Sequence, residues 1–130
     1  MITGFEELTE PLTETEQNVY LPPIMAGLQV KVGRGNAVTN KDIVRGLKKN
    51  CGINISEARV RKIINHIRNN DLVPCLIATS KGYYVAETQE EVDDYIDSLK
   101  GRLDAIAAVA QSMSRQKRKR WPLSSLFCNT

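Results

Sequence analysis

The sequence predicts a mainly α-helical fold that carries one small β-hairpin and ends in a long C-terminal helix. Three observations lead there. Apolar residues recur at helical spacing in three stretches before residue 70, two short β-rich runs then flank turn residues, and an apolar stripe runs on from Val92 for three heptads. At 130 residues the chain is long enough to bury a core without metal or disulfide staples.

Thr13 followed by Glu16 has the form of a helix N-cap and its reciprocal partner. Leu21, Ile24, Met25, Leu28 and Val32 then recur on one helical face. Pro22 and Pro23 fall inside this pattern and remove hydrogen bonds to residues four earlier. The expectation is a kinked first helix, or a short one followed by a second starting at Pro22, closed by Gly33-Arg34-Gly35-Asn36. A second helix begins at Thr39 or Asn40, with Asp42 suited to its positive first turn. It buries Ile43, Val44 and Leu47 and stops at Asn50-Cys51-Gly52, with Gly52 at the left-handed cap. Ser56 caps a third helix that runs to about Asn69 with Val60, Ile63, Ile64 and Ile67 inward. Leu76-Ile77-Ala78 and Tyr83-Tyr84-Val85-Ala86 flank Thr79-Ser80-Lys81-Gly82, whose turn chemistry predicts a compact hairpin with both tyrosines in core packing. Thr88 and Glu91 form a second capping box that opens the last helix.

Helix, helix, helix, strand, strand is the order of the winged helix-turn-helix arrangement. The stretch from Asn36-Ala37-Val38-Thr39 through Tyr83-Tyr84-Val85-Ala86 resembles small winged-helix proteins encoded by bacteriophages and prophages. The residues that carry the resemblance are Arg59-Val60-Arg61-Lys62-Ile63-Ile64-Asn65-His66-Ile67-Arg68, then Leu72-Val73-Pro74-Cys75-Leu76-Ile77-Ala78-Thr79, then Gly82-Tyr83-Tyr84. It covers residues 13–101 and implies a fold more than a role. The chain thus divides into an acidic N-terminal segment (1–12), a winged-helix domain (13–101), a C-terminal helix extension with a basic end (102–120) and a tail (121–130).

Net charge is only +3, but it is unevenly spread. Residues 1–16 carry five acids and no base, residues 31–81 carry eleven Lys/Arg against three acids, residues 87–104 carry seven acids against two bases, and residues 115–120 carry five bases and no acid. A basic middle between acidic flanks suits a polyanion, and uneven charge on a solvated surface is the plainer reading. Catalytic constellations are not found. His66 is the only histidine and has no acid near it in sequence to orient it, Gly33-Arg34-Gly35 lacks a third glycine two residues on, and no lysine loop of the phosphate-binding kind occurs. Cys51, Cys75, Cys128 and His66 lack the close spacing of zinc ligands, so no metal and no cofactor are expected. Cys51 and Cys75 read as buried small hydrophobes, and an odd number of unpaired cysteines suits a reducing cytoplasm. The first residues have neither the basic start nor the apolar stretch of a signal peptide, so none is expected, and the longest apolar run falls short of a membrane span.

With Val60 and Ile64 inward, the outer face of the third helix carries Ala58, Lys62, Asn65 and Asn69, flanked by Arg59, Arg61 and His66. Arginine and lysine pair with guanine edges and asparagine with adenine, and the first half of a recognition helix lies nearest the bases. Ser56, Arg59, Lys62 and Asn65 are therefore the candidate base readers, and Lys41, Lys48, Lys49 and Arg61 the candidate phosphate contacts. Lys81 is the only cation of the short wing. A duplex-binding face would require Arg59, Lys62, Arg61 and Lys41 to be continuous.

Val92, Ile96, Leu99, Leu103, Ile106, Ala110 and Met113 step by 4, 3, 4, 3, 4, 3, the pattern of a coiled-coil seam. Val92–Leu99 is expected to pack as a fourth helix on its own domain. The remainder then calls for a second copy, so a homodimer is expected through Leu99, Leu103, Ile106, Ala110 and Met113, with Gly101 the weak point. The function expected is that of a non-enzymatic, cytoplasmic duplex-DNA-binding protein of phage type in transcription control or replication. The alternative is a protein-interaction adaptor on the same scaffold. No small-molecule substrate is expected, and the basic run 115–120 before Trp121 reads as a nonspecific tail.

Overall fold

The structure is a computed structural model and describes residues 10–123. Most of the acidic segment 1–12 and of the tail 121–130, Cys128 included, lies outside the described residues. Two compact units are present, Met1–Val92 and Asp93–Thr130.

The first helical stretch opens with the expected box. Thr13 N–H donates to Glu16 Oε1 at 2.8 Å, and Glu16 N–H donates to Thr13 Oγ1 at 3.1 Å. A π-helical turn, Glu16–Tyr20, then leads into α1, Leu21–Gln29, with the prolines in its second and third positions. This is close to the second expected alternative: a short helical segment precedes an α-helix that starts at Leu21, one residue before Pro22, and the join is π-helical. Leu21 N–H donates five residues back to Glu16 O. The wider turn lets Pro22 and Pro23 follow where their missing N–H groups leave no regular ladder to break.

After a 3₁₀ turn, Arg34–Asn36, come α2, Asn40–Cys51, and α3, Glu57–Asn69. Thr39 and Asp42 cap α2 reciprocally, Gly52 ends it at φ +66°, and Ser56 Oγ accepts from Arg59 N–H at the start of α3. The hairpin is β1, Leu76–Thr79, and β2, Gly82–Val85, with Thr79 opposite Gly82, so the turn is only Ser80-Lys81. Beyond β2 the connection between α1 and α2 supplies further rungs. Val85 pairs with Lys31 and Gly33, and Tyr83 exchanges two hydrogen bonds with Val38 at 2.7 and 2.9 Å. A side chain at Gly82 would stand 2.5 Å from Val38 O, so only glycine allows this approach.

One apolar core joins Leu21, Ile24 and Leu28 of α1, Leu47 of α2, and Val60, Ile63, Ile64 and Ile67 of α3 with Val73 and Leu76. Ile43 and Val44 are half-buried against it. Tyr84 is buried, while half-buried Tyr83 donates from its hydroxyl to Asn40 Oδ1 at 2.9 Å and ties the hairpin to the start of α2. Cys51 and Cys75 are exposed, against expectation. Cys51 is the last residue of α2, past its buried stripe, and Cys75 sits at φ +61° in the turn before β1.

α4, Gln89–Arg120, is one uninterrupted helix of 32 residues, about 48 Å at 1.5 Å per residue. Thr88 Oγ1 accepts from Glu91 N–H at its start. Glu90 and Glu91 in the first turn and Lys117 to Arg120 in the last oppose the two ends of its dipole. None of its residues is buried. Ile96 is 41% and Leu99 39% exposed, and Leu103, Ile106 and Met113 more so. Among the described residues no helix is long and apolar enough to cross a membrane.

Candidate nucleic-acid interface

A buried carboxylate reorganises the face expected to meet DNA. Glu16 is 2% exposed, and its Oε1 accepts from Lys62 Nζ at 2.8 Å while its Oε2 accepts from Arg59 Nε at 3.1 Å. Arg59 also lies over the Tyr20 ring at 5.4 Å. Lys62 is itself only 6% exposed. The placement of Lys62 on an exposed strip of α3 is thus corrected, and the four-residue face of Arg59, Lys62, Arg61 and Lys41 does not form as expected. Helical periodicity put Lys62 opposite Val60 and Ile64 and could not reveal that the turn Glu16–Tyr20 covers that side. The one available signal was the unusual order of an acidic first turn ahead of a basic third helix.

Desolvation works to raise the Glu16 pKa, but the hydrogen bonds from Lys62 and the Thr13 backbone, with the charges of Lys62 and Arg59, outweigh it and hold the carboxyl below its ordinary value. The three side chains thus form an ion triad that anchors the first turn to α3. All side-chain polar atoms buried among the described residues have a hydrogen-bond partner.

The remaining candidates divide by exposure. Lys41, Lys48 and Lys49 on α2, Ser56 and Arg61 on α3, and Lys81 at the hairpin turn are exposed, and Asn65 is half-buried. Tyr83 joins the hairpin to Asn40, and Gly82 packs on Val38 and Thr39, so the hairpin turn with Lys81 and the first turn of α2 with Lys41 come to one end of the module. Arg45, not singled out in the sequence, is exposed and paired with Asp42. Asp42 has a lowered pKa because it accepts from Thr39 N–H and from Arg45. Ser56 Oγ already caps α3, which uses its acceptor capacity in part.

Elsewhere, a shallow groove of about 480 Å³ lies between α1 and α2, with Ile24, Leu28, Ile43 and Leu47 in its walls and Gly27 and Gly46 open beside them. Asp42 and Lys31 are the only charged residues lining it, and they form no nucleophile-and-base pair. No group of three metal-ligating side chains occurs among the described residues. Neither a family model, nor a curated protein, nor a solved structure matches this chain.

Proposed function

We propose that residues 13–92 form a winged-helix module that binds duplex DNA chiefly through its phosphates. The observation that carries this reading is the pairing of the α1–α2 connection with β2. The order becomes helix, a connection bridged to β2 at Val32 and Val38, helix, helix, then hairpin, with the hairpin turn brought to the start of α2 by Tyr83 and Gly82. In helix-turn-helix proteins the second helix of the pair enters the major groove and its partner crosses the backbone. Lys41 and Lys81 at one end, with Arg61, Lys48 and Lys49, supply exposed charge for phosphates. Glu16 withdraws Lys62 and constrains Arg59, so base reading rests on Ser56 and Asn65 and is weaker than a fully cationic helix would allow. A role in transcription control or DNA replication fits such a module.

Titrating random duplex DNA at two salt concentrations tests this. Binding should weaken steeply with salt, since each neutralised phosphate adds roughly 0.9 to the log–log slope. Lys41→Ala and Lys81→Ala should each make that slope shallower by about one contact. Lys62→Met should leave it unchanged. No binding at low salt would instead favour the protein-interaction adaptor, a reading to which the neutralisation of Lys62 and Arg59 by Glu16 already lends an observation.

A further inference from the structure

We propose that α4 pairs with α4 of a second copy of this chain, antiparallel, with Leu103 of each copy level with Ile106 of the other. The inference concerns α4 alone and stands whether or not residues 13–92 bind DNA. Its starting point is a continuous exposed apolar stripe. Leu103, Ile106, Val109 and Met113 are 57–66% exposed, and Ile96 and Leu99 about 40%. Isolated exposed apolar residues are ordinary, but a stripe at heptad spacing on a single helix marks a surface that another helix covers.

The spacing of the stripe admits a reversed partner. From Ile96 to Met113 the steps are 3, 4, 3, 4, 3, which read the same from either end. An antiparallel copy therefore meets the stripe layer by layer: Ile96 with Met113, Leu99 with Ala110, Leu103 with Ile106, and the same three pairs again by two-fold symmetry. Each layer joins one residue from either of the two seam positions, and small Ala110 falls opposite large Leu99. Sliding by a heptad would bring Val92 level with Ala110 and keep as many layers, but it would set Met113 opposite Gln89 and carry Arg115 to Arg120 past the start of the second copy's α4, so the charged ends set the register. Gly101, where an added Cβ would meet nothing within 4 Å, lies on the outer face away from the seam.

A parallel pair would match the stripe equally well, and charge decides between them. Glu90, Glu91, Asp93, Asp94 and Asp97 occupy the first turns of α4, and Arg115, Lys117, Arg118, Lys119 and Arg120 the last. In the antiparallel register Glu90 comes level with Lys119 of the second copy, Glu91 with Arg118, and Asp94 with Arg115. Lys117, the next seam position, falls opposite the second copy's Val92 and beside its Asp93. These charges stand mostly on the flanks and outer face, so they act through the summed field of each helix end, which reaches about 10 Å in ordinary salt. A parallel pair would set five acids beside five acids and place Lys117 on Lys117 in the seam. The antiparallel arrangement avoids both, and it opposes the two helix dipoles.

Two measurements decide the matter on the full chain. Sedimentation equilibrium over micromolar concentrations should show a dimer for the wild type and a monomer for Leu103→Glu/Ile106→Glu. Both residues are exposed, so the double variant keeps the thermal transition of the first unit. In a background of Cys51→Ser, Cys75→Ser and Cys128→Ser, chains with Ile96→Cys and chains with Met113→Cys are then mixed under mild oxidation. Antiparallel pairing predicts cross-links that join one chain of each kind, resolved by mass. Cross-links of Ile96→Cys chains to one another would establish a parallel pair and overturn the proposal. A wild type that stays monomeric, or a double variant that dimerises as well, would overturn it also.

Discussion

α3 and α4 carry the same kind of apolar stripe and treat it in opposite ways. In α3, Val60, Ile63, Ile64 and Ile67 are at most 2% exposed, enclosed by α1, α2 and the hairpin. In α4, Leu103 and Ile106 stand about two-thirds exposed. The difference teaches that a stripe states how much surface a helix needs covered and says nothing of which chain covers it. α3 lies in a segment dense with neighbours in sequence. α4 follows the last element of its module and continues for about nine turns beyond it.

A matched pair of truncations separates the two helices most strongly. Ile64→Ala should cost about 4 kcal/mol in urea unfolding, because an enclosed side chain leaves a cavity. Leu103→Ala, measured at concentrations where the chain is monomeric, should change the same transition by less than about 0.5 kcal/mol. Equal losses would mean that α4 is enclosed after all.

A smaller effect tests what holds α3 in place. Glu16→Gln should destabilise by about 3 kcal/mol, since it leaves the Lys62 ammonium buried without its countercharge. The double variant Glu16→Leu/Lys62→Met should recover most of that loss, because an apolar pair of similar volume removes both desolvation costs. The carboxyl's pKa is lowered on folding, so the unfolded chain binds its proton more readily and the triad's contribution is complete only above the ordinary pKa of 4.5. Wild-type stability should therefore fall as the pH drops below that value. Urea midpoints at pH 7 and pH 3 should differ less in the double variant, and an unchanged difference would assign the acid sensitivity to other carboxyls such as Asp42.

Two glycines give the smallest contrasts. Gly82→Ala should cost about 2 kcal/mol, from a strained φ of +125° and a clash with Val38 O that parts the edge rungs. Thermal melts would register it, and a neutral result would show that the α1–α2 connection gives way freely. Gly101→Ala meets no atom and lies within a helix, so it should raise helicity and stabilise α4 by up to about 1 kcal/mol. Circular dichroism of the full chain reads that change.

Much of the local structure is legible in the order of residues, because its causes are local. The boxes at Thr13/Glu16 and Thr39/Asp42, the Ser56 cap, the left-handed stop at Gly52 and the α3 core stripe depend on residues within a few positions of one another. The turn chemistry at residues 79–82 likewise placed the hairpin, with the turn one residue too wide at each end. The heptad steps of α4 were equally plain, since one helix displays its own period.

Contacts made across long separations in sequence came from the packing of the whole chain. Glu16 meets Lys62 across 46 residues and Arg59 across 43, and no periodicity within α3 can show that a distant first turn covers its polar side. That contact turned Lys62 from a candidate groove reader into a buried ion. The exposure of Cys51 and Cys75 was hidden for a related reason: both are small, sulfur-bearing and apolar in character, and only the position of each at an element's edge leaves it in solvent. The π-turn before Pro22 belongs here too, because a two-proline sequence sets which hydrogen bonds are missing, while the packing of Leu21 and Ile24 into the core sets how the chain bends around them.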